Sequence, residues 1–576
     1  MNIHAAPEIH LYAPGQVQSA GVASRADAIT TQLVRHALIS AANQMKRVLI
    51  RTAFSPGIYE AHDFAVAIYD RQIRLLAQAP SLPCFLGTMS FCIEAAVASV
   101  GGEAALEPGD VILYNVPFGT GSHAQDMAIV LPVFRNGVLV GYAASKGHLM
   151  DIGAKDPFCT DTVDMYQEGL ILDGILLFRR GCFADEIMKI ITSNSRMPSA
   201  LKGDILAQVA CCRAGGEELL RIIDRFGWDS FLDCSERIFD HGEAVVRDFI
   251  SRIPDGRYQA KGHLDDDGIG DSAILFDVEL TIEGDQVLFD LSSVPEAAKG
   301  PINSPLPSTV AACRVVLALL AGNESLNEGH FRPVHVKTRI NSLFHPIAPQ
   351  PTFYYGASVM QLMEALLNAF AEALPGAVAS GSAGDLCGLM VYAYDQAKGE
   401  TSAAGFAMSV GQGAFLDGDG TTLIHLVSST LRMPSAELME SKFNFLQYEN
   451  WEVEPDSCGP GQFRGGLGWR ARYRFLRDVS CMIAVDRTKV PSWAQAGGHS
   501  GTPNGVSVTY PDGRVEKLRK STGLALPQGS VLEIVSGGGG GYGPPEKRTS
   551  DSVLQDVRLG YVSEAAAREW YPQAFA

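Results

Sequence analysis

The sequence predicts an α+β fold: a large, multi-lobed chain of mixed sheets with helices and a glycine-rich β region at its C-terminal end. Three observations carry this expectation. Apolar residues recur at helical spacing in several long segments, and in others they alternate with polar ones. The 59 glycines among 576 residues call for many tight turns. A chain of that length outgrows one core, so three or four lobes are expected. The pattern divides into a polar arm (1–26), an α+β domain (27–254), a β-meander (255–300), an α/β lobe (301–430) and a glycine-rich β lobe (431–576).

Residues 27–52 place Ile29, Leu33, Val34, Leu38, Met45 and Leu49 at helical spacing, with Asp27 available as a cap. Phe64–Asp70 (FAVAIYD) alternates like a half-buried strand, followed by a turn at Arg71-Gln72 and a partner strand in IRLLAQ. A helix is expected over 91–99, then strands in EPGDVILYNVPF, DMAIVLPVF and GVLVGYAAS. Helical patterns return over 185–225 and 236–253, and 255–295 reads as a meander. Residues 308–322 and 359–374 are apolar helix candidates, the second stopped by Pro375-Gly376. Short strands fill the last quarter, ending in a helix over 563–570 that Ser563 can cap.

Composition narrows the function. Lys+Arg 46 against Asp+Glu 64 leaves a net charge of −18, a poor match for nucleic acid or an anionic membrane surface. Nothing reads as a transmembrane helix, and the N-terminus lacks the basic start and apolar block of a secretory signal. The 11 cysteines are scattered, odd in number and without a CxxC pair, which excludes a zinc knuckle or thioredoxin-type motif. Free thiols in a reducing cytoplasm are the expectation.

The most informative segment is GTGSHAQDMAIVLPVFRNGVLVGYAASKGHLMDIG (119–153). Asn136-Gly137 between two apolar runs signals a hairpin with a type I′ turn. With that turn setting the register, residue i lies opposite 273−i, so His148 faces Gln125 within the quartet His123–Asp126. Opposite residues in an antiparallel pair lie within about 5.5 Å at Cα. The open end therefore gathers His123, Asp126 and His148, with Asp151 close behind. A bulge at Pro132 would shift the register by one without dispersing the group. Two imidazoles and a carboxylate suit Zn, Mn or Fe(II), and they leave positions open for catalysis. The plain alternative is a set of polar residues at a loop end; the second histidine brought alongside favours the metal. Asp63, before the FAVAIYD strand, reads by itself as a turn or strand-entry residue.

These residues stand among others that resemble the hydantoinase B/oxoprolinase family from about residue 27 to the C-terminus. The matching stretches include RTAFSP…DFAVAIYD, LAQAPSLPCFLGTM, EPGDVILYNVPFGTGSHAQD, GHLMDIG and DMYQEGL, then SNSRMPSALKGDILAQ, LDDDGIGD, KGPINSP, SLNEGHFRP, LRMPSAELMESKF, PDSCGPGQFRGGLG and SGGGGGYGPP. The resemblance implies a metal site built from His123, Asp126 and His148, with Asp63 as ligand or general base and Asp151 as a carboxylate orienting a histidine. It implies one divalent transition metal, zinc or manganese. It further implies ATP-dependent opening of a cyclic amide (a hydantoin, 5-oxoproline or lactam), with ATP and Mg handled by a separate A-type subunit in paired heterodimers. Three positions depart from the family pattern: Asn115-Val116-Pro117 where NDP is usual, Ser122 for a threonine, and Phe85 where a histidine is common. Two other functions fit the same resemblance: a subunit of an ATP-dependent ketone carboxylase, and a non-catalytic assembly subunit.

Several tempting motifs are set aside. Ser536–Gly543 (SGGGGGYG) lacks the GK[ST] of a P-loop, and Arg464–Gly468 (RGGLG) reads as a tight turn. HLDDDGIGD (263–271) lacks the twelfth-position glutamate of a calcium loop and reads as a solvated turn. Asn327-Glu328-Gly329, Arg432 and Glu440 suit a helix start or a subunit contact as well as a site. Cys211-Cys212 reads as buried packing, and Trp493 and His499 as packing or pocket lining.

Overall fold

The computed structural model describes residues 8–13, 26–322, 325–397, 399–423, 425, 432 and 435–576. Most of the N-terminal arm, and residues 431, 433 and 434 of the LRMPS segment, lie outside the described residues.

A seven-stranded antiparallel sheet carries the segments of interest. In chain order the first strands of the protein are β1 (Ile9–Tyr12), β2 (Phe64–Asp70), β3 (Leu75–Gln78), β4 (Val111–Tyr114), β5 (Asp126–Arg135), β6 (Val138–His148), β7 (Ile175–Arg179) and β8 (Cys182–Phe183). The sheet runs β3-β2-β6-β5-β4-β7-β8. Three helices cover one face: α1 (Ala28–Thr52), α3 (Pro198–Phe226) and α4 (Trp228–Ile250). Asp27 caps α1 as expected, accepting from the Thr30 amide at 2.9 Å. The opposite face joins a second core shared with α2 (Met89–Ser99), α5 (Leu306–Ala321) and α6 (Tyr355–Ala373). Strand β2 shows the consequence. Phe64, Val66 and Ile68 enter the first core while Ala65, Ala67 and Tyr69 enter the second, and these six, like Asp70 after them, are buried. The expected half-buried strand is covered on both sides because its alternate positions are small or apolar on each face.

That second core continues into a five-stranded sheet, β1-β12-β11-β10-β9, formed with β9 (Gly256–Leu264), β10 (Ile274–Glu283), β11 (Gln286–Leu291) and β12 (Val334–Arg339). The expected meander is β9–β11. Part of the arm is not free: Ile9–Tyr12 pairs with β12 as an edge strand. A four-stranded sheet joins β13 (Gly388–Asp395) and β14 (Glu400–Phe406) to Val479–Ala484 and Lys520–Leu526. It shares a third core with a five-stranded sheet built from Leu446–Glu454 through Val531–Val535.

Other expectations are corrected. The helical stretch 185–225 is two helices, Asp185–Ser193 and α3, because Pro198 sits at the start of the second. The loop 263–271 is not a solvated turn. Asp265 accepts from Thr488 N and Oγ1 at 2.6 Å, and Asp266 pairs with Lys520 at 3.0 Å and Arg519 at 3.2 Å, docking the meander on the C-terminal sheets. Among the described residues its carboxylates do not converge as a group that could hold a metal. Ser563 caps Glu564–Trp570 as expected, while the Ser550–Arg558 helix before it, capped by Thr549, went unread. All eleven cysteines are free. Among the described residues, no helix is long and apolar enough to cross a membrane.

Candidate metal centre

The hairpin forms at the expected place. Asn136 and Gly137 both take positive φ, 51° and 79°, as a type I′ turn demands. Next to the turn, Arg135 faces Val138 and Phe134 faces Leu139, the register expected from the turn alone. A bulge between Val133 and Phe134 then shifts the remainder by one, and Asp126 faces His148 directly. One residue of slip thus converts adjacency into opposition, and two of the candidate ligands lie across one strand pair.

His123 completes the group from the loop before β5. Its Nε2 lies 3.0 Å from Asp126 Oδ1 and 3.2 Å from His148 Nδ1, and His148 Nδ1 is 3.0 Å from the same Asp126 oxygen. Donors about 2.1 Å from a common ion at 90–110° stand about 3.0–3.4 Å apart. The three atoms therefore surround one point with the spacing of a metal's ligands, and all three residues are buried. Asp63 stands just outside this set. Its backbone carbonyl accepts from the His148 amide at 3.0 Å, and its side chain lines the same cavity. Its Oδ1 is enclosed and, among the described residues, has no hydrogen-bond partner. An enclosed, unpaired carboxylate oxygen is costly, and it fits a further donor to a cation.

Electrostatics sharpen the picture. Burial opposes a charge on Asp126, but His123 and then His148 beside it hold its carboxyl well below the usual carboxylate range. Burial pushes His123 down despite Asp126. For His148 burial acts in the same downward sense, yet the Asp126 hydrogen bond and the Asp63 charge prevail and raise it. Burial pushes Asp63 up to about 6.

Residues around the triad hold it in place. Tyr355, at the start of α6, stands 3.4 Å from Asp126 Oδ2, leaving Oδ1 for the histidines. Phe353 packs edge-on against His123 with centroids 5.0 Å apart, and Phe158 against Phe353 at 4.8 Å. Glu168, of the DMYQEGL motif, is buried and accepts from the amides of Thr352 (2.7 Å) and Phe353 (2.9 Å), while Thr352 Oγ1 donates to the Ser122 carbonyl at 3.0 Å. It thereby ties the aromatic wall to the residue before His123. Asn115 binds the neighbouring loop, donating to Ala124 O at 2.7 Å and Leu170 O at 2.9 Å. Lys146, fully buried, donates to Thr88 Oγ1 at 2.6 Å and Thr120 O at 3.0 Å, its ammonium 4.1 Å from the Phe85 ring centre. Tyr355, Phe353, Phe158 and Lys146 were not anticipated; the first two come from a segment distant in sequence, with no spacing signal.

Asp151 takes a different place from the one expected. Its carboxylate accepts from Gly153 N at 3.1 Å and pairs with Arg196 at 2.7 Å, rather than meeting a histidine. Arg432 lines the cavity rim and its amide donates to Ala61 O at 3.2 Å. Asn327 caps a short turn and Glu440 accepts from Tyr448 N, both local structural roles. The Trp493 indole donates to Glu364 at 3.2 Å.

The triad lies in the wall of a cavity of about 230 Å³ between the hairpin, the start of α6 and the four-stranded sheet. Apolar side chains make up most of its wall.

The profile of the hydantoinase B/oxoprolinase family matches residues 27–545. The caprolactamase subunit beta of Pseudomonas jessenii is 28% identical over 560 residues, covering 95% of this chain and 96% of the relative. The crystal structure of ATP-dependent caprolactamase from Pseudomonas jessenii superposes with a TM-score of 0.87 at 27% identity, covering 94% of this chain and 96% of that one. A nucleotide-free acetone carboxylase shares the fold with a TM-score of 0.85 at 17% identity, covering 94% of this chain and 79% of that one. With its fold and nearly its whole length matched, the chain belongs to the hydantoinase B/oxoprolinase family.

Proposed function

We propose that this chain is the metal-binding subunit of a two-component, ATP-dependent amidohydrolase that opens a cyclic amide: a hydantoin, 5-oxoproline or a lactam. The observation that carries the reading is the convergence of His123, Asp126 and His148 on one point in the wall of a largely apolar cavity, in a chain of this family. They would hold one divalent transition metal, zinc or manganese, with Asp63 as a further ligand or as a base. When bound, that ion supplies Lewis acidity toward a carbonyl or phosphoryl oxygen. The chain's own residues do the rest. Tyr355 orients Asp126, Phe353 and Phe158 keep water from the outer side of His123, and Asp63 stands where it can hold or accept a proton. Asp151 acts at a remove, fixing the loop after His148 through Arg196.

ATP and Mg would be handled by an A-type partner subunit, in paired heterodimers in the cytoplasm. Two things support that division. The relative's name designates it a subunit, and the glycine run here offers no cradle for phosphate. The amides of Gly538, Gly539, Gly540 and Gly541 all donate to backbone carbonyls of the chain itself.

The test is reconstitution with an A-type partner and ATP, following opening of hydantoin, 5-oxoproline and caprolactam. His123→Ala should lose the metal and reduce turnover at least about a hundredfold. Retention of both would refute the reading. Stable incorporation of labelled bicarbonate into product would replace it with a ketone carboxylase, and activity independent of the triad with an assembly role.

A further inference from the structure

We propose that the ring bound in this cavity carries an uncharged, apolar group, a branched alkyl or aryl substituent, rather than a carboxylate. The inference rests on the amide-opening reading for the identity of the ring and on the cavity wall for the substituent. Met150, Met360, Met390 and Met482 line the cavity together with Phe158 and Phe353. Met390 and Met482 lie opposite each other in register on β13 and Val479–Ala484, so two flexible thioethers pave one sheet face. Methionine is unbranched and polarisable, adapts to flat or irregular apolar shapes and makes favourable contacts with aromatic rings.

Among the described residues, the charged side chains of the lining are Glu60, Asp63, Asp126 and Arg432, beside the two histidines. Asp63 and Asp126 stand at the triad, where the proposed metal would engage them. At the rim Glu60 is paired with Lys442 at 2.6 Å, and Arg432 is exposed. Against the methionine and phenylalanine side chains named above a carboxylate would lose its hydration, because thioethers and phenyl rings carry no donor. The volume suits the occupant: an apolar cavity of about 150 Å³ takes benzene, and here about 230 Å³ is available. The rival occupant is a ring whose carboxylate reaches back to Arg432.

Calorimetric titration of the metal-loaded full-length chain with 5-phenylhydantoin and with 5-(2-carboxyethyl)hydantoin decides between them. The phenyl compound should bind at least about tenfold tighter. Met390→Gln and Met482→Gln, which keep the length of the side chain, should shrink that margin to about threefold or less with metal content unchanged. Equal or tighter binding of the carboxyethyl compound, abolished by Arg432→Gln, would overturn the proposal, as would no binding of either ring. Turnover of the same pair with the partner and ATP separates the two levels. A binding preference without opening of either ring would sink the amide-opening reading and leave the preference standing.

Discussion

Asp126 divides its carboxylate between two tasks, with Oδ1 meeting both imidazoles and Oδ2 facing the Tyr355 hydroxyl at 3.4 Å. Burial, with Asp126 adding to it, raises Tyr355 well above its ordinary value, so the phenol keeps its proton and donates. Tyr355→Phe keeps the ring against His123 and removes only that donor. Metal affinity should fall about tenfold, the lower end for lost outer partners of ligands. A competitive chelator titration reads this; unchanged affinity would mean that packing alone orients Asp126. At this scale the sequence was informative about the candidate ligands and silent about the residues packed around them. Two histidines and an aspartate are chemically conspicuous beside a recognisable turn. Tyr355 and Phe353 are ordinary apolar and aromatic residues until the fold brings them beside His123. Asp151 was misjudged for the opposite reason: it is close in sequence, but Arg196, from the loop before α3, captures it.

The hairpin and the glycine run show which elements a sequence specifies. Asn136-Gly137 announces its own turn because few other residue pairs accept positive φ twice in succession. The bulge that brings Asp126 opposite His148 was signalled by Pro132, and it lies one residue on, between Val133 and Phe134. The run Gly537–Gly541 reads as loose loop, yet it threads between backbones. A Cβ on Gly540 would lie 2.0 Å from the Trp493 carbonyl, whereas at Gly137 it would meet nothing within 4 Å. Gly540→Ala should therefore cost about 3 kcal/mol or more, because the Trp493–Ala494 backbone it meets cannot yield as a flexible side chain would. Gly137→Ala should cost about 1 kcal/mol, from the positive φ alone. Thermal unfolding of the two variants beside the wild type checks the order; equal losses would contradict the packing described here.

Across the whole molecule, polar groups buried between the lobes set the response to pH. Asp385, before β13, accepts from the Asp486 amide at 2.8 Å, the Cys387 amide at 3.2 Å and the Tyr354 hydroxyl at 3.3 Å. Burial, and then the charge of Asp486, push it up to about 7. A carboxyl raised above its unfolded value of about 3.9 stabilises the fold in its protonated form. That contribution is complete below about pH 4 and is lost as pH rises through 7, a change on the order of 4 kcal/mol. Asn can accept from the two amides with its carbonyl and donate to Tyr354 with its NH₂, whose hydroxyl can turn to the Ala484 carbonyl at 3.3 Å. Asp385→Asn should thus gain stability relative to the wild type between pH 5 and 8; parallel melting curves would contradict this. The mixture of helices and sheets was legible at this scale because helical and strand periods alternate in long blocks. How the lobes meet was not, because carboxylates such as Asp265 and Asp385 look solvated in the sequence and find their partners only across the junction. The cavity between hairpin and four-stranded sheet belongs to the same class of feature.

The metal content of the purified chain, wild type beside His148→Ala, tests the central claim most directly. One equivalent of a transition metal in the wild type, lost in the variant while the fold is retained, is the predicted result. Equal metal in both, or none in either after loading with zinc or manganese, would contradict a metal centre at His123, Asp126 and His148.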